Sequence, residues 1–426
     1  MIYPDFMFRK TKKILLCAFF VALPFQVRLI LFSYTKPFNE WTSGFLYLSD
    51  LLLVGLLGIW FWECFKEKRI PKFYIHDLFL LGFVALAALS IFEAGALPIA
   101  AFRFIKLAEM AVFYIYVRDN LSHFAESAPK FIIASGVIQG VIAIAQYFAQ
   151  SAIGLGWLGE SPIKPGAYGV ASFYIGAKVF LRSYGMTPHP NILALWMFIA
   201  LIAFIYWYLA KKPKLSVSLA LAAPMIFGFY FTFSRTTLAI WALSFAVLSI
   251  IFIFLKRGLT PDGILRFKKL FLIIVAVSIL FAALFFPQVK ARINLSSQDE
   301  AVTYRIYYNK LAESITKSSP VIGIGIGQFV YKLMKTLPHN SPYVYQPAHN
   351  MYLLISSEIG IPGLVLFAAF ILFVLIRRLK SGLSKIQNIL ALTLCLGILI
   401  IAFFDHPTWT SQQGSLIFGL ALGAMS

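Results

Sequence analysis

What this chain has least of is charge. Asp, Glu, Lys and Arg make up 13% of its 426 residues, while 60% are hydrophobic and mean hydropathy is +0.82. A soluble fold of this length could not hide that much apolar surface, which excludes a water-soluble globular enzyme. Cysteine is almost absent. Cys17, Cys64 and Cys395 fall in apolar runs or at their ends and none in a long connection, so neither a disulfide nor a thiolate metal site is expected. No Gly-x-x-x-x-Gly-Lys-Ser/Thr stretch occurs, so nothing suggests that ATP drives the protein. The apolar runs do not alternate with polar residues as the strands of an outer-membrane barrel do. These exclusions leave an all-α polytopic integral membrane protein.

Twelve spans are predicted, at about 14–33, 44–64, 74–94, 97–117, 130–150, 191–210, 216–234, 236–255, 268–287, 350–376, 386–404 and 411–426, most long enough to cross about 30 Å of hydrocarbon. The chain divides accordingly into helices 1–5 (1–150), a first long loop (151–190), helices 6–9 (191–287), a large loop (288–349) and helices 10–12 (350–426). "RKTKKILLCAFFVALPF" has the basic and apolar regions of a signal peptide, but no small-x-small cleavage site follows and the run resumes as "VRLILF". An uncleaved first span is expected. Lys and Arg crowd the N-terminus and the connections "KEKRIPK", "KKPK", "KRGLTPDGILRFKK" and "RRLKSGLSK", all on one side of an even-numbered topology. By the positive-inside rule that side, with both termini, is cytoplasmic. The net charge of +20 is therefore mostly a topology signal, and no nucleic-acid partner is expected.

The long outer loops depart from that rule, carrying Lys164, Lys178, Arg182, Lys290, Arg292, Arg305, Lys310, Lys317, Lys332 and Lys335. Solvated surface is the bland explanation, since long loops translocate largely regardless of charge. Arginine beside glycine and proline at a membrane boundary invites another, because its planar fork suits phosphate. Arg182 precedes the turn "SYGMTPHPN", which forbids regular helix and leads through Asn191 into span six; His189, between two prolines, reads as a turn residue. Ser234-Arg235 occupies a hairpin too short to be a free loop, where snorkelling competes with anion binding as the reason for the arginine. In the second loop Ser297 and Glu300 resemble a capping box. Tyr304, Tyr308, Leu311 and Ile315 then recur at helical spacing, so this helix is expected to rest on the membrane surface with Arg305 aimed inward. Within span four, Arg103, Lys106 and Glu109 share a face, and charge pairing inside the bundle is expected, with Arg28 and Asp50 as further candidates.

The order of the motifs carries more than any one of them. "LRSYGMTPHPN", "FSRTTLAIW", "YRIYYNKLAESI", "SPVIGIGIGQF" and "AHNMYLLISSEIGIPG", on these topological sides, resemble the O-antigen ligase/polymerase family across roughly residues 180–375. The resemblance implies a GT-C-like bundle with a large, partly helical periplasmic loop in the bacterial inner membrane. It implies a glycan donor on undecaprenyl diphosphate, a lipid- or glycan-borne hydroxyl acceptor, and no cofactor. Arg182 and Arg235 would stabilise the leaving diphosphate, and His349 would take the proton of the acceptor hydroxyl. Arg305, Asn191, Asn350 and Gly325 are candidates for substrate binding, although Asn350 also reads as a helix cap. Glu358 lies nine residues past His349, about 13 Å along an ideal helix, too far to orient it. It is expected to pair with a buried base, while Gly360 and Gly363 allow close helix packing. His339, His349 and His406 lack a carboxylate-rich ligand set, so no metal is expected. The alternatives are a polymerase of the same family and a twelve-helix lipid-linked glycan transporter; no internal repeat supports the latter.

Overall fold

The computed structural model describes residues 3–294, 300–338, 340–382 and 384–426. Ser297 and His339, named above, lie outside them. Each predicted span contains a helix: α1 (Tyr3–Ala22), α2 (Leu48–Lys66), α3 (Ile75–Ser90), α4 (Leu97–Asp119), α5 (Leu121–Ala149), α6 (Pro190–Lys211), α7 (Leu215–Phe231), α8 (Arg235–Ser249) and α9 (Pro261–Leu284). After the large loop, with its helices α10 (Phe286–Ile293), α11 (Glu300–Ser318) and α12 (Phe329–Thr336), come α13 (Met351–Lys380), α14 (Ile386–Ile401), the short α15 (Pro407–Thr410) and α16 (Gln412–Met425). Among the described residues, seven helices are long and apolar enough to cross a membrane, and the fold is an all-α polytopic membrane protein.

The first span is shorter than its apolar run. Helix α1 stops at Ala22, before Pro24, and Arg28–Ser33 forms strand β1, antiparallel to β2 (Ser43–Tyr47). A proline biases the residue before it away from helix, and the apolar "RLILFS" that resumes afterwards suits a strand as well as a span. A second hairpin, β3 (Ser172–Ile175) with β4 (Lys178–Leu181), folds the 151–190 loop. That loop meets the large one where Tyr168 stacks on Tyr343 at 5.5 Å.

Helix α6 is the most enclosed of the spans. Helices α5 and α7 approach through glycine: a Cβ at Gly140 would sit 2.3 Å from the Pro224 carbonyl oxygen, and one at Gly228 would sit 2.6 Å from the Gly140 Cα. Without a hydrophobic drive between helices in lipid, such close backbone packing is what holds them. The expected charge pairing in α4 is present. Lys106 Nζ lies 2.6 Å from Asp50 and 3.0 Å from Glu109, and Gln412 of α16 donates to both carboxylates. Arg28 pairs with Glu40 at 2.6 Å.

Helix α11 does not lie free on a surface. Tyr308, Ala312 and Ile315 are buried with Phe329, Val330 and Leu333 of α12 and with Leu354 of α13, so the apolar stripe read in the sequence faces protein, and Tyr304 remains exposed. Helix α13 is broken at Gly360, whose backbone (φ 86°, ψ 173°) is not helical. The loop after α11 uses that break. Ile324 N–H donates to the Ser357 carbonyl, Gly325 N–H to that of Glu358, and Ile361 N–H to that of Pro320. A Cβ on Gly360 would meet the Val321 oxygen at 2.2 Å, so only glycine fits.

Candidate active site

Chain termini of spans converge at one end of the bundle: the starts of α6, α8, α13 and α16 and the segment after α14. Asn191 is the hub. Its Oδ1 accepts from Arg182 Nη2 at 2.6 Å and from the Ser234 hydroxyl at 3.1 Å, while its Nδ2 donates to Asp405 Oδ2 at 2.6 Å. One amide thus joins the first long loop, the α7–α8 hairpin and the segment after α14, across 214 residues of sequence in the last case. Asp405 also accepts from the His406 backbone N–H at 2.9 Å.

Beside that carboxylate stand two imidazoles. The ligand-bearing atoms of His349, Asp405 and His406 all lie within 4.8 Å of one another. The His349 ring is stacked parallel to Tyr308 at 6.3 Å and meets the His406 ring edge-on at 5.0 Å. His349 Nδ1 is buried with no hydrogen-bond partner among the described residues, whereas His406 Nδ1 is bonded to the Thr410 hydroxyl at 2.6 Å. Burial, reinforced by His406 and opposed by Asp405, holds His349 down at about 3. Burial likewise holds His406 at about 4, against the pull of Asp405. Burial works against the Asp405 charge, but His406, His349 and Arg305 outweigh it and keep the carboxyl below its ordinary range. At neutral pH the cluster is one carboxylate beside two neutral rings. Two imidazoles and a carboxylate are also a donor set for a divalent transition metal, which the sequence reading had not assembled.

Arg182 is buried, with Nε donating to the Thr232 carbonyl at 2.7 Å. Burial, with Arg292 and Arg305 nearby, pulls its guanidinium down to about 9. Arg305 of α11 lies near enough to add its positive charge to the field at His349, Asp405 and His406 as well. Arg235 opens α8 two residues after Phe233, whose left-handed backbone (φ 45°) makes the tight reversal. Arg235 and Arg292 stand at the rim of an apolar cleft of about 670 Å³ between α8 and α9, lined by Leu238, Trp241, Phe271 and Ile274 among others. Arg292 donates to the Phe233 carbonyl. A row of guanidinium groups therefore leads from the cleft to the imidazole cluster.

Other predicted residues have different tasks. Asn350 Oδ1 accepts from the Tyr352 and Leu353 N–H groups at 3.0 and 3.1 Å; that oxygen caps α13 and is committed to the backbone rather than to substrate. The Gly325 N–H is likewise committed, to Glu358, in the loop that docks at the helix break. Among the described residues Glu358 makes no ion pair within bonding distance. Its oxygens accept from the Phe329 N–H at 3.2 Å and the Trp409 indole at 2.9 Å, which ties α12 and α15 to α13. Gly363 packs against Ile359. Two residues matter more than the sequence suggested. His189 caps α6 by accepting from the Asn191 N–H and is held near 3 by burial. Asp405 is the other; a carboxylate directly after an apolar run, where burial is costly, is its signal in the sequence.

No curated protein matches the chain. Residues 220–368 match the family described as O-Antigen ligase. That stretch contains Arg235, Arg305, His349 and Glu358, and over it this membrane protein is similar to the O-antigen ligase family.

Proposed function

We propose that the protein transfers a glycan from an undecaprenyl-diphosphate carrier to a hydroxyl acceptor, as an O-antigen ligase does, at the periplasmic face of the inner membrane, with both termini in the cytoplasm. The observation that carries the reading is His349. Its Nδ1 is buried and unclaimed, beside a carboxylate, at the end of a row of arginines. A neutral imidazole there can accept the acceptor's hydroxyl proton, and Asp405 stabilises the imidazolium that forms. The hydroxyl oxygen then bonds to the anomeric carbon as the bond from that carbon to the phosphate oxygen breaks. The diphosphate leaves with the electron pair. In this reading Arg235, Arg292 and Arg182 meet that growing negative charge, and preorganised donors of this kind are worth about 3 kcal/mol each. The apolar cleft below Arg235 offers the carrier's hydrocarbon chain a place beside its headgroup. A polymerase would make and break the same kinds of bond with a lipid-linked repeat as acceptor.

The test is transfer by purified protein in liposomes, supplied with a polyprenyl-diphosphate glycan and either a lipid-borne core sugar or a second lipid-linked repeat. ATP and metal are omitted. Turnover is expected with the core-sugar acceptor and should collapse in folded His349→Ala and Arg235→Ala proteins. Normal transfer by His349→Ala removes the base. Reaction only with the second repeat makes the protein a polymerase, and movement of the glycan lipid across the bilayer without transfer makes it a carrier.

A further inference from the structure

The imidazole cluster forms one wall of a second space, distinct from the apolar cleft. This cavity encloses about 210 Å³, below the roughly 300–1,000 Å³ of pockets that take drug-sized molecules. Its far wall comes from the first hairpin and α4, through Glu40, Trp41, Tyr47, Phe102, Arg103 and Lys106. Apart from the neutral rings, its charged lining is two acids, Glu40 and Asp405, against two bases, Arg103 and Lys106. Lys106 is already bound to Asp50 and Glu109. An anion gains little from such a balance, whereas the arginine row on the other side of the cluster is uniformly cationic.

Balanced charge among aromatic faces suits a neutral polyol. A pyranose ring has an apolar C–H face that packs on an indole, and edge hydroxyls that both donate and accept. Trp41 is half-buried and meets the His406 ring at 6.1 Å. Arg103 uses Nη1 on the Thr410 carbonyl at 2.6 Å and Nη2 on that of Trp41 at 3.4 Å, two of the five N–H groups a guanidinium offers. Only one Glu40 oxygen is held by Arg28. The dimensions, the aromatic wall and the remaining donors and acceptors together specify one sugar ring.

We propose that this cavity is a monosaccharide subsite, with Trp41 as its stacking platform, holding the ring of donor or acceptor next to the reacting bond. The proposal rests on the transfer reading for its purpose but not for its test. Binding of methyl glycosides of glucose, galactose, mannose and N-acetylglucosamine to the purified protein is measured by saturation-transfer NMR, with no donor present. At least one glycoside is expected to bind, to weaken about tenfold or more in Trp41→Ala, and to be largely retained in Trp41→Phe, since either aromatic ring offers a face to the sugar's C–H side. Arg235→Ala, outside the cavity, should bind the glycoside as the wild type does, whatever it does to transfer. In the liposome assay Trp41→Ala should raise KM for one substrate with kcat little changed. A raised donor KM assigns the ring to the donor, and a raised acceptor KM to the acceptor. No glycoside binding to wild type, equal binding by Trp41→Ala, or a loss confined to kcat overturns the subsite.

Discussion

Replacing Asp405 by Asn tests whether this carboxylate acts through its charge or only through its shape. If His349 takes the acceptor proton, it becomes an imidazolium with a ring nitrogen no more than 4.8 Å from an Asp405 oxygen. At an effective dielectric near 20, a unit charge at that distance stabilises the cation by about 3.5 kcal/mol. At about 1.4 kcal/mol per decade, its loss should lower kcat about 300-fold. The obvious objection is structural, because Asp405 also accepts from Asn191 and from the His406 N–H. Exchanging the pair, Asn191→Asp with Asp405→Asn, answers it. The side chains keep their outlines, but the negative charge moves beside Arg182, which already lies 2.6 Å from the Asn191 oxygen. The exchanged protein should regain the thermal stability lost by Asp405→Asn and still transfer slowly. The assay is single-turnover transfer in liposomes, with unfolding followed in detergent. Turnover of folded Asp405→Asn within ~threefold of wild type, or full recovery in the exchanged protein, would refute the electrostatic role.

Three further outcomes follow from packing and charge. Gly360→Ala places a methyl 2.2 Å from the Val321 oxygen at a φ of +86°, and such backbone strain costs about 1–3 kcal/mol before the clash is counted. Its unfolding temperature should fall further than that of Gly363→Ala, whose methyl meets only the Ile359 side chain. Equal losses would mean that loop docking at the break matters little. Lys106→Met strands Asp50 and Glu109 inside the bundle and should destabilise by about 3–5 kcal/mol, read as loss of folded protein in a denaturant titration. Unchanged stability would place water at that cluster. His189, His349 and His406 have folded values below the ordinary 6.5, so the unfolded chain binds protons first as pH drops. Stability should therefore decline from about pH 6.5 down toward 3–4, and the depressed Asp405 adds a further loss below about pH 4. A flat unfolding temperature between pH 7 and 4 would contradict neutral buried rings.

The spans were legible because hydropathy reports burial in lipid directly, residue by residue. Their ends were less so. Arg28–Ser33 is apolar in either a helix or a strand, and only Pro24 hinted that the helix had stopped. The stripe on α11 was visible as Tyr308 and Ile315, but a stripe does not name its partner, and Phe329 and Leu333 cover it as well as lipid would. His349 and the arginines stand out in the sequence because each is unusual where it stands. Asp405 does not, because its importance comes from Asn191, 214 positions away, and no local spacing encodes that contact. Glu358 shows the same gap from the other side. Its burial was foreseen, whereas its partners, an indole and a backbone N–H, leave no charge pattern to read.

The family match and the cavity divide the molecule differently, and the division has a physical basis. Residues 220–368 supply His349, Arg235 and Arg305, the groups whose chemistry suits a proton and a diphosphate. Those demands are the same for any glycan carried on such a lipid. The carboxylate beside His349 and, apart from Gln346 and His349 itself, the walls of the cavity come from elsewhere: Glu40 to Lys106 and Gly169 to Ile192 before the matched stretch, and Asp405 to Ser415 after it. A wall that touches the hydroxyls of a sugar must change with the sugar, whereas an arginine that faces phosphate need not. If that separation is real, substitutions at Trp41 or Phe102 should redistribute preference among glycans at near-constant kcat. Substitutions at Arg235 should depress all of them alike. Measuring several glycans on both sets of variants decides it, and a uniform loss in both sets would make the cavity part of the catalytic apparatus instead.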